Sequence, residues 1–345
     1  MTDEMTGPYF ELRVADVIEE TQDAKSIVLE IPPAHRERFA YAAGQFLTFR
    51  VEVDGHRIVR CYSLASSPVT DAVHKVAVKR IVDGRVSNWM NDHVAVGHVL
   101  EVMPPAGHFC LRESDAPIVL FGGGSGITPI ISIIKTALAT TDRSLKLVYA
   151  NRDDRSIIFK DELAALIAVN PGRLEIAHRL DDQHGFVDSA RVVEEVGSRK
   201  EADFYICGPG PFMDIVEKTL GGLGVAPEQI FIERFESPSE DPLSLAADAP
   251  APGQGQPVTI KLDGTQTKIV VGDDETILTA ARRSGLEPPF ACEEAYCGCC
   301  MARVTSGEVD MLMNDGGIDQ RQIDEGWVLT CQAKCKGPAT IEYPD

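Results

Sequence analysis

The sequence predicts a multidomain protein: an antiparallel β-barrel, an α/β domain on a parallel sheet, and a small third domain around a cysteine cluster. Three observations predict it. Short alternating strand-like runs fill the chain to about Leu111; strands and helices then alternate from about Ser114 to Phe235; and four of the nine cysteines fall within residues 292–300. At 345 residues and 44% apolar content, the chain is long enough for two or three separate cores. We divide it at 1–112, 113–236, a linker 237–256, and 257–345.

The formal charge of −20 argues against a nucleic-acid partner, which needs a basic surface, and suits docking on a basic protein. The start MTDEMTGPYF shows no basic region followed by an apolar stretch, so no secretory signal is expected. No apolar run approaches the roughly 20 residues of a membrane span. A cytoplasmic, reduced setting follows, in which clustered cysteines bind metal or do redox work.

In the first domain FELRVADVIEE, SIVLEIP, QFLTFRVEVDG, KVAVKRIVDG and VLEVMPPAG read as strands, with Asp-Gly and Pro-Ala-Gly as punctuation. Strands of this spacing make a barrel or a sandwich. Arg60-Cys61-Tyr62-Ser63 lies inside this domain as a further strand and, on its residues alone, is either a polar outer face or a ligand-binding strand.

The second domain opens with the strand PIVLFGGG and the helix PIISIIKTALA. KLVYA, RLEIAH, DFYIC and QIFIERF continue as strands, with helices KDELAALIAV, VDSARVVEEVG and PFMDIVEKTLGG between them. That alternation predicts a parallel sheet with crossover helices. The loop Gly122 to Pro129, GGGSGITP, departs from a strict G-x-G-x-x-G because Ile127 holds the last position. It can still present backbone N–H groups and a helix N-terminus to a pyrophosphate, or be a tight turn without a ligand. Cys207-Gly208-Pro209 follows DFYIC at the carboxyl end of the sheet, where ligands bind in open α/β folds.

ESPSEDPLSLAADAPAPGQGQ reads as a linker. VTIKLDG and TKIVVGD form a hairpin beyond it, and ETILTAARRSG a helix. PFACEEAYCGCCM then sets Cys292, Cys297 and Cys300 in C-x4-C-x2-C spacing, with Cys331 as a fourth candidate. Four thiolates so spaced hold a [2Fe–2S] cluster. A structural zinc site would want two C-x2-C-like pairs, and only Cys297/Cys300 resembles one. Cys299 reads as packing, and Cys335 competes with Cys331.

Arg-x-Tyr-Ser at 60–63, with Val78-Lys79-Arg80, Gly84-x-x-Ser87 and Pro105 to Phe109, resembles the flavin half of the ferredoxin–NADP reductase superfamily. Gly-Gly-x-Ser-Gly-Ile-Thr-Pro and Cys-Gly-Pro-x-Pro-Phe-Met resemble its pyridine-nucleotide half, and the last ~90 residues resemble a plant-type ferredoxin of β-grasp-like fold. The resemblance implies FAD on the barrel, with FMN the alternative and Gly84 to Ser87 favouring FAD. Arg60 would grip phosphate, Tyr62 pack on the isoalloxazine and Ser63 bond near N5, while Cys61, Val78, Lys79, Val86 and Ser87 line the rest. Gly123, Gly124, Ser125, Gly126 and Thr128, with Gly208 and Pro209, would hold nicotinamide dinucleotide. Cys207 would lie beside the nicotinamide, Glu233 steer hydride or proton traffic, and Phe235 reach back to the flavin. Asn151 and Arg152 would lie at the adenosine ribose, where Asp153 and Asp154 favour NADH over NADPH. Cys292, Cys297, Cys300 and Cys331 would ligate the cluster.

Plant-type ferredoxins more often carry Arg and Gly where this chain has Glu293 and Ala295. The added anion predicts a potential below the family's baseline near about −400 mV. The domain order resembles that of reductase components of bacterial oxygenases. QFLTFR, RCYSL, YANRDDRSIIF and ICGPGPFM most resemble the reductases of 3-ketosteroid 9α-hydroxylases, enzymes of steroid catabolism. The resemblance implies electron transfer from NADH through FAD and [2Fe–2S] to a Rieske-type terminal oxygenase, by a monomer. A di-iron partner, as in phenylacetyl-CoA epoxidase, is the alternative; a non-catalytic iron–sulfur sensor and a zinc-stapled flavin reductase are others. Residues 257–345 carry 8 Lys+Arg and 15 Asp+Glu, a net of −7 that suits a basic docking surface.

Overall fold

Alternation of inward apolar and outward polar side chains builds the first sheet from β1 (Phe10–Thr21), β2 (Ala24–Glu30), β3 (Phe46–Val53), β4 (His56–Ser63), β5 (His74–Lys79) and β6 (Val99–Ala106). The computed structural model describes residues 9–234 and 255–344 except 291, 294 and 316, so Phe235 and nearly all of the linker 237–256 lie outside the described residues. The strands run antiparallel in the order β4-β3-β6-β1-β2-β5, and a bridge from Leu64 to Val76 joins the two outer strands into a barrel. Leu12, Leu29, Phe49, Val78 and Val102 fill its core. Asp54 and Gly55, at φ 54° and 79°, make the two-residue turn between β3 and β4 that sets Tyr62 opposite Leu47. A helix that the strand reading passed over, α1 (Arg85–His93), buries Val86 and Met90 on the barrel.

Five parallel strands follow: β7 (Ile118–Gly123), β8 (Leu145–Asn151), β9 (Leu174–Leu180), β10 (Asp203–Cys207) and β11 (Ile230–Glu233), in the order β11-β10-β7-β8-β9. The helices α2 (Ile127–Thr140) and α3 (Lys160–Val169) pack against Leu120, Leu147 and Tyr205 on one face. Beyond the four-residue α4 (Asp181–His184), α5 (Ser189–Val196) and α6 (Gly210–Gly222) pack against Phe121, Val148 and Ile206 on the other. The chain runs outward from β7 through β9 and returns to the other side at β10, so the switch point lies between β7 and β10.

The third sheet takes β12 (Gln256–Leu262), β13 (Thr265–Val271), β14 (Met301–Ser306), β16 (Trp327–Leu329) and β18 (Ala339–Glu342), in the order β13-β12-β18-β14-β16. The short strands β15 (Val309–Met311) and β17 (Ala333–Cys335) pair beside it. Helix α7 (Ile277–Arg283), capped by the Thr276 hydroxyl, buries Ile277, Ala280 and Ala281 on that sheet, a β-grasp-like arrangement.

The two interfaces of the barrel differ in kind. Against the parallel-sheet domain, buried Lys135 pairs with Asp71 and, at 2.7 Å, with Glu162, and Lys75 reaches Glu162 at 2.9 Å. Against the third domain the ion pairs are exposed, Arg57 to Asp263 at 2.9 Å and His56 to Glu287 at 2.8 Å. Among the described residues no helix is long and apolar enough to cross a membrane.

Candidate active site and cluster loop

The switch point gathers three of the expected residues. In register, Cys207 on β10 stands beside Gly122 on β7 and Glu233 on β11. Ser63, at the end of β4, donates its hydroxyl to Glu233 Oε2 at 3.3 Å across 170 residues of chain. Ser63, Cys207 and Glu233 are 2%, 0% and 6% exposed. Burial pushes the Glu233 carboxyl up to about 8, with the Ser63 bond pulling the other way. Burial, then the neighbouring Glu233, pushes the Cys207 thiol well up. At neutral pH this corner therefore holds a protonated carboxyl and a neutral thiol.

The glycine loop lies directly on the other arm of the switch point. A Cβ on Gly126 would stand 2.2 Å from the Cys207 carbonyl oxygen, and one on Gly123 would stand 2.7 Å from Pro209 Cδ. Only hydrogen fits at either place. Thr128 donates to the Ser125 carbonyl at 3.0 Å, and α2 begins without a side-chain cap, its Ile127 N–H turned back onto the Gly124 and Ser125 carbonyls. Lys79 reaches in from the barrel, 3.6 Å from the position of a Gly124 Cβ, and burial lowers its pKa.

At the end of β8, Asn151 stands beside the Tyr149 hydroxyl, but that hydroxyl donates to the Gly124 carbonyl at 3.1 Å. Both amide atoms of Asn151 are left buried without a hydrogen bond, as is His178 Nδ1 on β9. Orphaned buried polar atoms at the carboxyl end of a parallel sheet fit a nucleotide. Arg152 is held by Asp23 at 2.6 Å. Asp153 caps a turn by accepting from Arg155 N and Ser156 N, and Asp154 pairs with Lys160 at 2.5 Å. The two carboxylates expected to select NADH are thus engaged elsewhere.

Arg60, Cys61 and Tyr62 lie half-buried on β4, with the Tyr62 ring 5.8 Å from Phe49. Val78 and Val86 turn their side chains into the barrel core, so both present only main chain to a ligand, and Asn91 already donates to the Val78 carbonyl at 3.0 Å. Ser87 accepts from Ile81 N at 3.3 Å and shapes the turn that opens α1.

In the cluster loop, contact with Cys292 and then Cys299 lowers the Cys297 thiol, and contact with Cys300 lowers Cys331. Cys292 and Cys299 thus both lie beside Cys297, and Cys300 lies beside Cys331. Two irons, each held by two thiolates, ask for four such donors. Cys299 sets its N–H 3.5 Å from Cys297 Sγ and its thiol 3.5 Å from Thr48 Oγ1 on the barrel, and Cys335 lies on β17. Glu293 and Ala295 sit at φ 55° and 61°, a backbone that favours glycine. Glu293 pairs with Arg282 at 3.0 Å, and Arg282 lies over the Phe290 ring at 4.1 Å. The anion expected to lower the cluster potential is therefore partly offset by a neighbouring cation. The loop rests on the barrel, Cys297 and Cys299 packing against Phe46, Val59 and Met103.

Three domain families match along the chain: an oxidoreductase FAD-binding domain at 11–110, an oxidoreductase NAD-binding domain at 120–218 and a 2Fe-2S iron-sulfur cluster binding domain at 260–336. The chain is 40% identical over 328 residues to the ferredoxin reductase component of 3-ketosteroid-9-alpha-monooxygenase from Rhodococcus rhodochrous, covering 94% of this chain and 93% of that one. It is 35% identical over 341 residues to a component of the 1,2-phenylacetyl-CoA epoxidase from Escherichia coli, covering 94% of each. Phthalate dioxygenase reductase, a modular structure for electron transfer from pyridine nucleotides to [2Fe–2S], superposes with a TM-score of 0.59 at 26% identity, covering 97% of this chain and 98% of its own. With the gathered thiols, the glycine loop and the buried Ser63–Glu233 contact, these likenesses converge: the chain belongs to the family of FAD-, NAD- and [2Fe–2S]-binding reductase components of multicomponent oxygenases.

Proposed function

We propose that this reductase takes electrons from NADH and delivers them to a Rieske-type oxygenase that hydroxylates a steroid nucleus. The observation that carries the redox part is the meeting of Ser63, Cys207 and Glu233 at the switch point. The steroid part rests on the 40% identity with the Rhodococcus protein over 94% of this chain. The bound cofactors supply the redox chemistry, two-electron exchange at flavin and nicotinamide and one-electron exchange at the cluster.

The residues bind, orient and exclude water. Arg60 offers a guanidinium fork to flavin phosphate. Tyr62 covers the ring system, and Ser63 orients it while bonded to Glu233. Glu233, protonated at neutral pH, keeps a proton at its carboxyl in a site closed to solvent. Cys207 would wall the nicotinamide, the backbone from Gly123 to Gly126 would take the pyrophosphate, and the Asn151 amide would take the adenosine. Cys292, Cys297, Cys300 and Cys331 would hold the cluster by four thiolates. The pairing of Arg152 with Asp23 supports NADH, because the guanidinium that would meet a 2′-phosphate is engaged. The protein works as a cytoplasmic monomer, its domains limited at 1–112, 113–236 and 257–345.

The test is reconstitution. Purified holoprotein should reduce cytochrome c with NADH far faster than with NADPH, and should drive 9α-hydroxylation of a 3-ketosteroid by a Rieske oxygenase. Turnover only with a di-iron epoxidase would favour the second reading, which the 35% identity to the Escherichia coli protein supports.

A further inference from the structure

The cleft between the barrel and the third domain concentrates positive charge in a chain with 53 Asp+Glu against 33 Lys+Arg. A pocket of about 150 Å³ is lined by Arg57, Arg60, Arg85 and Arg282, with Glu287 the acidic residue among its described lining. Arg57 and Arg60 come from β4 and Arg85 opens α1, whereas Arg282 comes from α7 in the third domain. Pro288 to Phe290 form the wall on that side. Past Arg57 and Leu286 the pocket adjoins an open cleft of about 650 Å³ that contains Thr265 and Thr267.

A space this small is below the roughly 300–1,000 Å³ of sites that enclose a whole ligand, but four guanidinium groups, Arg57 paired with Asp263 and Arg282 with Glu293 among them, suit a phosphate. We propose that the third domain completes the flavin site: Arg282 and the Pro288–Phe290 wall close on the diphosphate of FAD, whose adenosine extends into the wider cleft. The inference rests on the reading of Arg60 as a phosphate ligand. Arg282 is held for this role, paired with Glu293 at 3.0 Å and lying over Phe290 at 4.1 Å. Its five N–H donors are enough to serve both Glu293 and a phosphate oxygen. A ligand bridging two domains binds tighter when they are together, and by reciprocity it favours the seated arrangement.

The experiment follows FAD release from full-length holoprotein by flavin fluorescence, alongside the cluster absorbance. Arg282→Gln should release FAD about tenfold faster, the loss of one charge-assisted contact. Pro289→Glu, which sets a carboxylate in the wall without touching the Arg282–Glu293 pair, should do the same and covers the case in which Arg282→Gln disturbs the cluster. Arg283→Gln, whose parent side chain pairs with Glu275 at 2.8 Å, should behave as wild type. Wild-type release rates in both pocket variants overturn the inference. A wild-type protein isolated with FMN would instead overturn the cofactor assignment beneath it.

Discussion

Glu233 sits where titration and function meet. Its carboxyl, held at about 8 against the usual 4.5, keeps a proton that an unfolded chain has already released over most of that range. The contribution to stability is whole below about 4.5, declines as pH rises, and is least above about 8. Gln in place of Glu233 removes this dependence. Thermal denaturation from pH 5 to 8.5 should therefore show Glu233→Gln gaining on wild type as pH rises, by on the order of 4 kcal/mol at most. A constant difference would mean that the carboxyl is ionised in the fold. The gathering of these thiols was legible from spacing alone, because three of the four expected ligands lie in one short loop. The Ser63–Glu233 contact was not, since only the docking of two domains joins them. The Arg282 partner of Glu293 was hidden for a related reason: it depends on how α7 lies over the loop.

Among elements, the turn from β7 into α2 is the least forgiving. Gly126→Ala would drive a methyl into main chain at Cys207 rather than into a side chain that can swing aside. The loop must then part from β10, and the KM for NADH should rise about tenfold or more, with flavin content and cluster absorbance unchanged. An unaltered KM would show that the close approach is not needed for nucleotide binding. The strands of the fold were readable because the β3–β4 and β12–β13 turns carry Asp-Gly and the parallel strands are short apolar runs. Helix α1 was not readable. Its nine residues follow an Asp-Gly pair that signals a turn, and its apolar contacts, Val86 and Met90, are too few to establish a period. The same limit applies to Val78, which strand alternation turns inward while the motif around it suggests a ligand.

At the scale of the whole molecule the two interfaces should part company as salt is raised. Arg57 and Asp263 are 50% and 55% exposed, and pairs of that kind are worth about 0–1 kcal/mol and are screened. Lys135, 7% exposed between Asp71 and Glu162, is screened far less. Small-angle scattering between low and about 0.5 M salt should show the third domain moving away while the barrel and nucleotide-binding sheet stay together. Separation of the latter two first would contradict the ranking of the interfaces.

Cys297 and Cys299 lie against Phe46, Val59 and Met103, so the seated loop keeps one side of the metal centre in shade. Any excursion of the third domain from the barrel would uncover that side, and oxygen or a chelator should then find the iron sooner. A molecule idling without reductant is best preserved at rest on its barrel, and its working lifetime should shorten in proportion to the time spent abroad.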